Sequence, residues 1–441
     1  MVTVDFSKKT GKMRPMHCVN NGPVYKFAED QRITNLDAFA EAGIPYARTH
    51  DASFYATYGG EHTVDVHAVF PNFDNDPEDP ESYDFRLTDD YLKTMELASV
   101  KPFYRLGSKI EHWPKKYGTL PPRDFQKWAV ICEHIIRHYN YGWAGGFHMG
   151  IEYWEIWNEP DLTPDDSTHK TTWGGTKKQF FEFYHVAASH LKKCFPELKI
   201  GGPALAWNWD WAKEFLEQLT APLDFFSWHI YASDPHAVAR QAAYARSVLD
   251  EAGYQDTESI LNEWNYVKGW NGDTWIYSLR SEKSLKGAAF TASVMSLCQY
   301  QPLDLLMYYD ARPCAMNGMF STDFPCDKLK GYYPFLMFNR LYKLGESVEV
   351  HSDDPACTVC AAISGSEAAL MTTYYTDDDQ APARSFQYKL SGLKKDRVTV
   401  EYYLLDADHD LEKVREETLD ANGLTLTLDI PLFSSYLITI R

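Results

Sequence analysis

Two glutamates stand in matching surroundings. Glu159 closes the stretch Tyr153-Trp154-Glu155-Ile156-Trp157-Asn158-Glu159-Pro160, and Glu263 lies within Ile260-Leu261-Asn262-Glu263-Trp264-Asn265. Each is preceded by Asn, follows an apolar run that reads as a strand, and is followed by Pro or Trp. Carboxylates carried to two strand tips can divide a reaction between them, one ionised as a nucleophile and one serving as acid and base. Glycoside hydrolysis with retained configuration uses such a pair, about 5–5.5 Å apart. The nucleophile must stay ionised, which a cationic Arg48 and the Tyr231 hydroxyl favour. An acid needs a less charged, aromatic-lined setting.

The elements that must position this pair repeat with a regular rhythm. Eight short apolar strands alternate with amphipathic helices between residues 16 and 345. The helices include Arg32 to Ala42, Pro122 to Tyr139 and Lys283 to Tyr300. The count favours a closed (β/α)8 barrel, a TIM barrel of the α/β class, over an open doubly wound sheet. No GxGxxG or Walker loop points to a nucleotide. From about Glu346 the helical period stops, and seven strand-like runs separated by Gly, Pro and Asp predict a C-terminal antiparallel β-sandwich over 346–441. Residues 1–15 are expected to add an edge strand to it.

Functional groups of a barrel gather at the C-terminal strand ends. Those positions hold Asn20 and Asn21; Arg48, His50 and Asp51; Arg105 and Lys109; Asn158 and Glu159; Trp207 and Trp209; His229 and Tyr231; Glu263, Trp264 and Asn265; and Tyr309, Asp310 and Arg312. The set is polar, aromatic and acidic, with no Ser or Cys nucleophile beside a base. Glu159 and Glu263 are the expected catalytic pair; Asn158, Arg48, His50, His229, Tyr231, Trp264, Arg105, Lys109, Trp207 and Asp310 are the expected substrate-binding residues. No metal and no cofactor are expected: His50, His229 and Glu263 could be drawn as ligands, but Arg48 opposes a cation there. The 13 Trp, 29 Tyr and 24 Phe suit the C–H faces of sugar rings as well as core packing.

A formal net charge of −19 argues against nucleic acid and anionic membrane surfaces as partners. Met1 to Lys9 lacks the apolar core of a secretory signal, and no run has membrane-spanning length. Scattered cysteines, with Cys357 and Cys360 read as core thiols, complete the expectation of a cytoplasmic protein. The expected partner is an oligosaccharide or glycoside substrate, and a homo-oligomer is compatible with the composition.

Trp157-Asn158-Glu159-Pro160 on strand four and Asn262-Glu263-Trp264-Asn265 on strand seven resemble the acid/base and nucleophile motifs of the large retaining clan of (β/α)8 glycoside hydrolases. More narrowly, Gly43-Ile44-Pro45-Tyr46-Ala47-Arg48-Thr49-His50, Gly201-Gly202-Pro203-Ala204 and Ser227-Trp228-His229-Ile230-Tyr231 make the whole chain similar to glycoside hydrolase family 39, the β-xylosidase and α-L-iduronidase family. The resemblance implies Glu159 as acid/base, Glu263 as nucleophile, Asn158 at the sugar 2-hydroxyl, Arg48 and Tyr231 around the nucleophile, and His50 and His229 at the non-reducing sugar. The implied activity is exo-acting removal of a terminal sugar, β-xylosidase first, with α-L-iduronidase-like, α-L-arabinosidase or β-galactosidase specificity as alternatives. One stretch departs: Arg105-Leu106-Gly107-Ser108-Lys109 stands where the family suggests Glu-Leu-Gly. These cations could bind an acidic sugar or pair with Asp51 or Glu111. The rivals from other classes are a non-catalytic carbohydrate-binding barrel and a metal-dependent hydrolase.

Overall fold

The computed structural model describes residues 1–28, 31–51, 62–112, 114–116, 118–322 and 327–441, with side chains left aside at 26–32. In chain order the first strands are β1 Val2–Lys12, β2 Cys18–Asn20, β3 Tyr25–Ala28, β4 Gln31–Thr34, β5 Tyr46–Arg48, β6 Lys101–Leu106, β7 Tyr153–Ile156, β8 Lys199–Leu205, β9 Phe225–Ala232, β10 Glu258–Tyr266 and β11 Leu305–Tyr308. Eight of them, β2 and β5 to β11, pair in parallel and close into a barrel. Glu159 therefore follows the fourth barrel strand and Glu263 lies on the seventh. The helices between strands end where the sequence sets caps. Helix Phe125–Tyr141 starts on Asp124, whose side chain accepts the Lys127 amide, and ends on left-handed Gly142. Helix Lys177–Cys194 opens with a Thr176/Gln179 capping box. The first helix is shorter than its periodicity suggested: it runs Leu36–Ala42, because Gln31–Thr34 pairs with β3 as a hairpin.

The remaining strands are β12 Glu346–Ser352, β13 Cys357–Ser364, β14 Glu367–Tyr374, β15 Arg384–Ser391, β16 Arg397–Leu405, β17 Asp410–Asp420, β18 Thr425–Ile430 and β19 Ser435–Ile440. With β1 they form one nine-stranded sheet in the order β17-β16-β19-β14-β13-β12-β1-β15-β18. A single apolar cluster draws Val4, Leu370, Leu390, Val400 and Leu426 from across that order, so the sheet curls over its own core. Two expectations change here. Residues 2–12 do not form an edge: β1 lies between β12 and β15, and its pairing with β15 is parallel, which makes the sheet mixed. β17, so rich in charge that it carries no alternating apolar signal, is a strand nonetheless because β16 supplies the ladder.

The curled sheet packs on the barrel. Met371 and Leu437 join the same core as helix residues Phe290 and Phe338. A half-exposed ionic knot around buried Lys286 ties the two parts at the loop after β14. Asp377 accepts from the Tyr266 hydroxyl at 2.7 Å and lies 2.9 Å from Lys268 and 2.8 Å from Lys286. Lys286 also reaches Asp379 and Tyr277.

Candidate active site

The turn after β7 is what presents Glu159. Trp157 and Glu159 both adopt left-handed backbone, with φ of 74° and 48°. Such residues cost about 1–3 kcal/mol each unless their surroundings fix them. Here they do. The Trp157 amide donates to Leu106 O at 2.7 Å, the Glu159 amide to Ala204 O at 2.9 Å, and the Glu159 carbonyl accepts from Thr172 Oγ1 at 2.6 Å. Gly107 (φ 152°) lets β6 pass beneath, since a Cβ there would lie 3.0 Å from Trp157 Cα.

Glu263 reaches the site by a different device. A β-bulge between Leu261 and Glu263 breaks strict alternation, so consecutive Asn262 and Glu263 both turn into the barrel. Asn262 donates to Glu155 at 2.5 Å, while Glu263 meets Arg48. Arg48 is fully buried and every nitrogen of its fork is engaged: Nε to Glu155 at 2.6 Å, Nη1 to Glu263 Oε1 at 2.7 Å and to Asn20 Oδ1 at 3.1 Å, Nη2 to Asn158 Oδ1 at 2.7 Å. Tyr231 donates to the other Glu263 oxygen at 2.8 Å. His229 Nδ1 donates to Glu159 Oε1 at 2.8 Å and lies 3.6 Å from Glu263 Oε2. An oxygen of Glu159, one of Glu263 and a nitrogen of His229 all lie within 4.8 Å of one another. That spacing would also suit metal ligands, but the Arg48 guanidinium beside Glu263 opposes a cation.

The electrostatics favour the ionised form of Glu263. Burial works against ionising Glu263, yet His229, His50, Arg48 and the Tyr231 hydrogen bond outweigh it and bring its pKa down to about 2. Burial likewise opposes charge on His229, but Glu263 and Glu159 prevail and raise its pKa above the usual histidine value. Glu263 is therefore held as an anion by donors on both oxygens, and His229 lies between the two carboxyls, which favour its protonated form. The two glutamates, Tyr231, His50 and His229 line one open cleft of about 810 Å³.

The pattern of residues 3–268 matches the family described as "Glycosyl hydrolases family 39". The chain belongs to glycosyl hydrolase family 39. A β-xylosidase from Caldicellulosiruptor saccharolyticus is 28% identical over 249 residues, 53% of this chain and 46% of the relative; one from Geobacillus stearothermophilus is 25% identical over 270 residues, 57% and 48%. The chain thus aligns with about half the length of these curated relatives. Among solved structures, a glucosidase from Croceicoccus marinus superposes with a TM-score of 0.79 at 22% identity, covering 100% of this chain and 98% of the other. A β-xylosidase from Caulobacter crescentus gives 0.71 at 16%, covering 100% and 99%. These two likenesses establish a shared fold.

Within this family-39 site, Arg48, His50, Asn158, Glu159, His229, Tyr231 and Glu263 come together as the sequence suggested, and Trp207 lines the cleft. Three expected binding residues do not reach it. Trp264 is fully buried on the outer face of β10 against Tyr308 and Phe290, because regular alternation resumes after the bulge and turns the residue following inward-facing Glu263 outward. Arg105 is fully buried and bound to Asp65 at 2.5 Å and to the His50 carbonyl at 2.7 Å. Asp310 is buried and takes the Arg312 amide and the Cys314 thiol. Lys109 sits 3.1 Å from Asp51, which also holds His50 and Arg312. Sequence reasoning missed Glu155 as the second anchor of Arg48, with Ser227 donating to it at 2.6 Å. The signal available was an acidic residue inside an apolar strand. It also missed Trp270, Trp275, His112 and Gln241 in the cleft wall.

Proposed function

We propose that the chain is a retaining, exo-acting glycoside hydrolase that removes a terminal neutral sugar, with β-xyloside as the first substrate. The observation that carries this reading is a carboxylate pair within 4.8 Å in which one member, Glu263, is held ionised by Arg48 and Tyr231. Glu263 attacks the anomeric carbon and forms a glycosyl ester. Glu159 and His229, sharing a proton across 2.8 Å, deliver it to the departing oxygen. Glu159 then takes a proton from the incoming water, whose oxygen bonds to the anomeric carbon as the ester breaks and Glu263 returns as carboxylate. Asn158, fixed through Oδ1 by Arg48, keeps its amide N–H groups for the sugar 2-hydroxyl.

The β-xylosidase relatives support the choice of xyloside. Pairing of Arg105, Lys109 and Arg312 with Asp65 and Asp51 favours neutral over acidic sugars. The test is azide rescue on 4-nitrophenyl β-D-xyloside, beside a panel of arabinoside, galactoside, glucoside and iduronide. Glu159→Ala should recover activity with azide, and on poor leaving groups without azide it should be slower by about 10²–10⁴-fold. Glu263→Ala should be inactive on the same substrate. A Glu263→Ala enzyme of full activity sinks the assignment. Release of free xylose first from xylotriose checks exo action.

A further inference from the structure

Two exposed tryptophans flank the mouth of the cleft, Trp207 at 59% and Trp270 at 53% exposure. Large apolar side chains left this open are normally unremarkable singly. Here each is held by a residue that adjoins or contacts one of the two glutamates. Asp161, two residues past Glu159, is itself buried, and its carboxylate accepts the amides of Ala206, Trp207 and Asn208 at 2.8, 3.0 and 2.8 Å. A buried carboxyl thus clamps the loop that holds Trp207 out into solvent. Elsewhere in the same cleft, Trp270 stacks on Trp275 at 5.3 Å and meets the edge of Tyr231 at 5.0 Å, the tyrosine that holds Glu263. The segment between Tyr266 and Trp275 is braced from behind by Asp377 of the curled sheet.

Among the described residues, the same cleft is also lined by Ile110, Leu162, Ala206, Ile230 and Met316, with His112, Gln241 and Tyr309 as polar side chains beyond His50, His229, Tyr231 and the two glutamates. A second sugar there would bring several hydroxyls to a lining that pairs few of them, and unpaired polar groups cost affinity. Apolar carbon against the indole rings that line the cleft has no such penalty and gains their contact area. The geometry points to a leaving-group slot built for an apolar aglycone: the enzyme's substrates are glycosides of hydrophobic alcohols or phenols, not only oligosaccharides. This rests on the glycosidase reading above, since the slot borders Glu159, where the leaving oxygen takes its proton.

The test compares methyl and hexyl glycosides of the sugar cleaved best in the aryl panel, below micellar concentration. Both have alkoxide leaving groups of similar basicity, so kcat/KM differs through the chain alone. Contact worth even a few buried methylenes predicts at least a tenfold preference for hexyl. Trp207→Ala and Trp270→Ala should each lower the hexyl-to-methyl ratio at least threefold; both side chains are more than half exposed, so their truncation leaves the core intact. A ratio within twofold of one in the wild type, or a ratio indifferent to both substitutions, overturns the slot while leaving the glycosidase reading intact. An enzyme that cleaves nothing in the aryl panel overturns both.

Discussion

Removing the Tyr231 hydroxyl isolates one contribution to the state of Glu263. In Tyr231→Phe the ring keeps its edge contact with Trp270, and only the 2.8 Å hydrogen bond to Glu263 is lost. The hydroxyl is a donor throughout the working range, because burial and then Glu263 raise its own pKa well above the usual tyrosine value. A hydrogen bond to a charged group contributes about 1.5–3 kcal/mol, and 1.36 kcal/mol is one pKa unit. The substitution should therefore raise Glu263 by about 1–2 units, from about 2 to about 3–4, with the lower figure if water takes the hydroxyl's place. The sign follows from which form loses its partner: the anion does, so ionisation is lost at higher pH. The acidic limb of kcat/KM reports this group in the free enzyme. On 4-nitrophenyl β-D-xyloside the limb should move up by about 1–2 pH units in the variant, with activity restored on return to pH 6 to exclude acid unfolding. Stability should follow the same linkage: the depressed carboxyl contributes stability present above its ordinary 4.5 and lost as pH falls through about 2. A limb that stays put while kcat/KM falls at pH 6 would mean that the hydroxyl serves the substrate and not the nucleophile.

Two further outcomes follow from pairings described above. Aryl iduronide should be turned over at less than about 1% of the best neutral substrate, because freeing a buried cation for it costs several kcal/mol; comparable rates would show that Lys109 or Arg312 exchanges partners on binding. Asp377→Ala removes three partners from Tyr266, Lys268 and Lys286 at once, and should cost about 1–3 kcal/mol, read as a fall of a few degrees in Tm. It should also reduce the hexyl-to-methyl ratio, since the wall that carries Trp270 loses its brace.

The barrel and the meeting of Glu159 and Glu263 were legible because they rest on local signals. Alternation of strand and helix periods set the count of eight, and an Asn-Glu pair at two strand tips marked the two glutamates. What failed to read was pairing across distance. Arg105 looked like an unclaimed cation because its partner, Asp65, lies 40 residues earlier in a loop with no register to predict it. Glu155 looked like a strand residue with no task, since the Arg48 that needs it comes from another strand. Trp264 was a different error. Period-two alternation alone places it opposite Glu263, and the rim aromatic it resembled is supplied instead by Trp207 and Trp270 on loops. The bulge that turns Asn262 and Glu263 to the same side has no composition signal at all.

β1 has partners only far along the chain: Val2 pairs with Ser352 and with Tyr388. In order of synthesis, the strand is complete before any of the barrel, and its neighbours are made after all of it. An apolar strand waiting with both edges open is a template for association with other chains. Its first half, Val2, Val4 and Phe6, is the part destined for the core, but the second half carries Lys8, Lys9 and Lys12, the charges that discourage edge-to-edge pairing. Once β12 arrives, Lys8 meets Glu349 and Lys9 and Lys12 meet Glu346. The lysines that guard the nascent strand against other molecules thus end as its means of accepting the one segment it was waiting for.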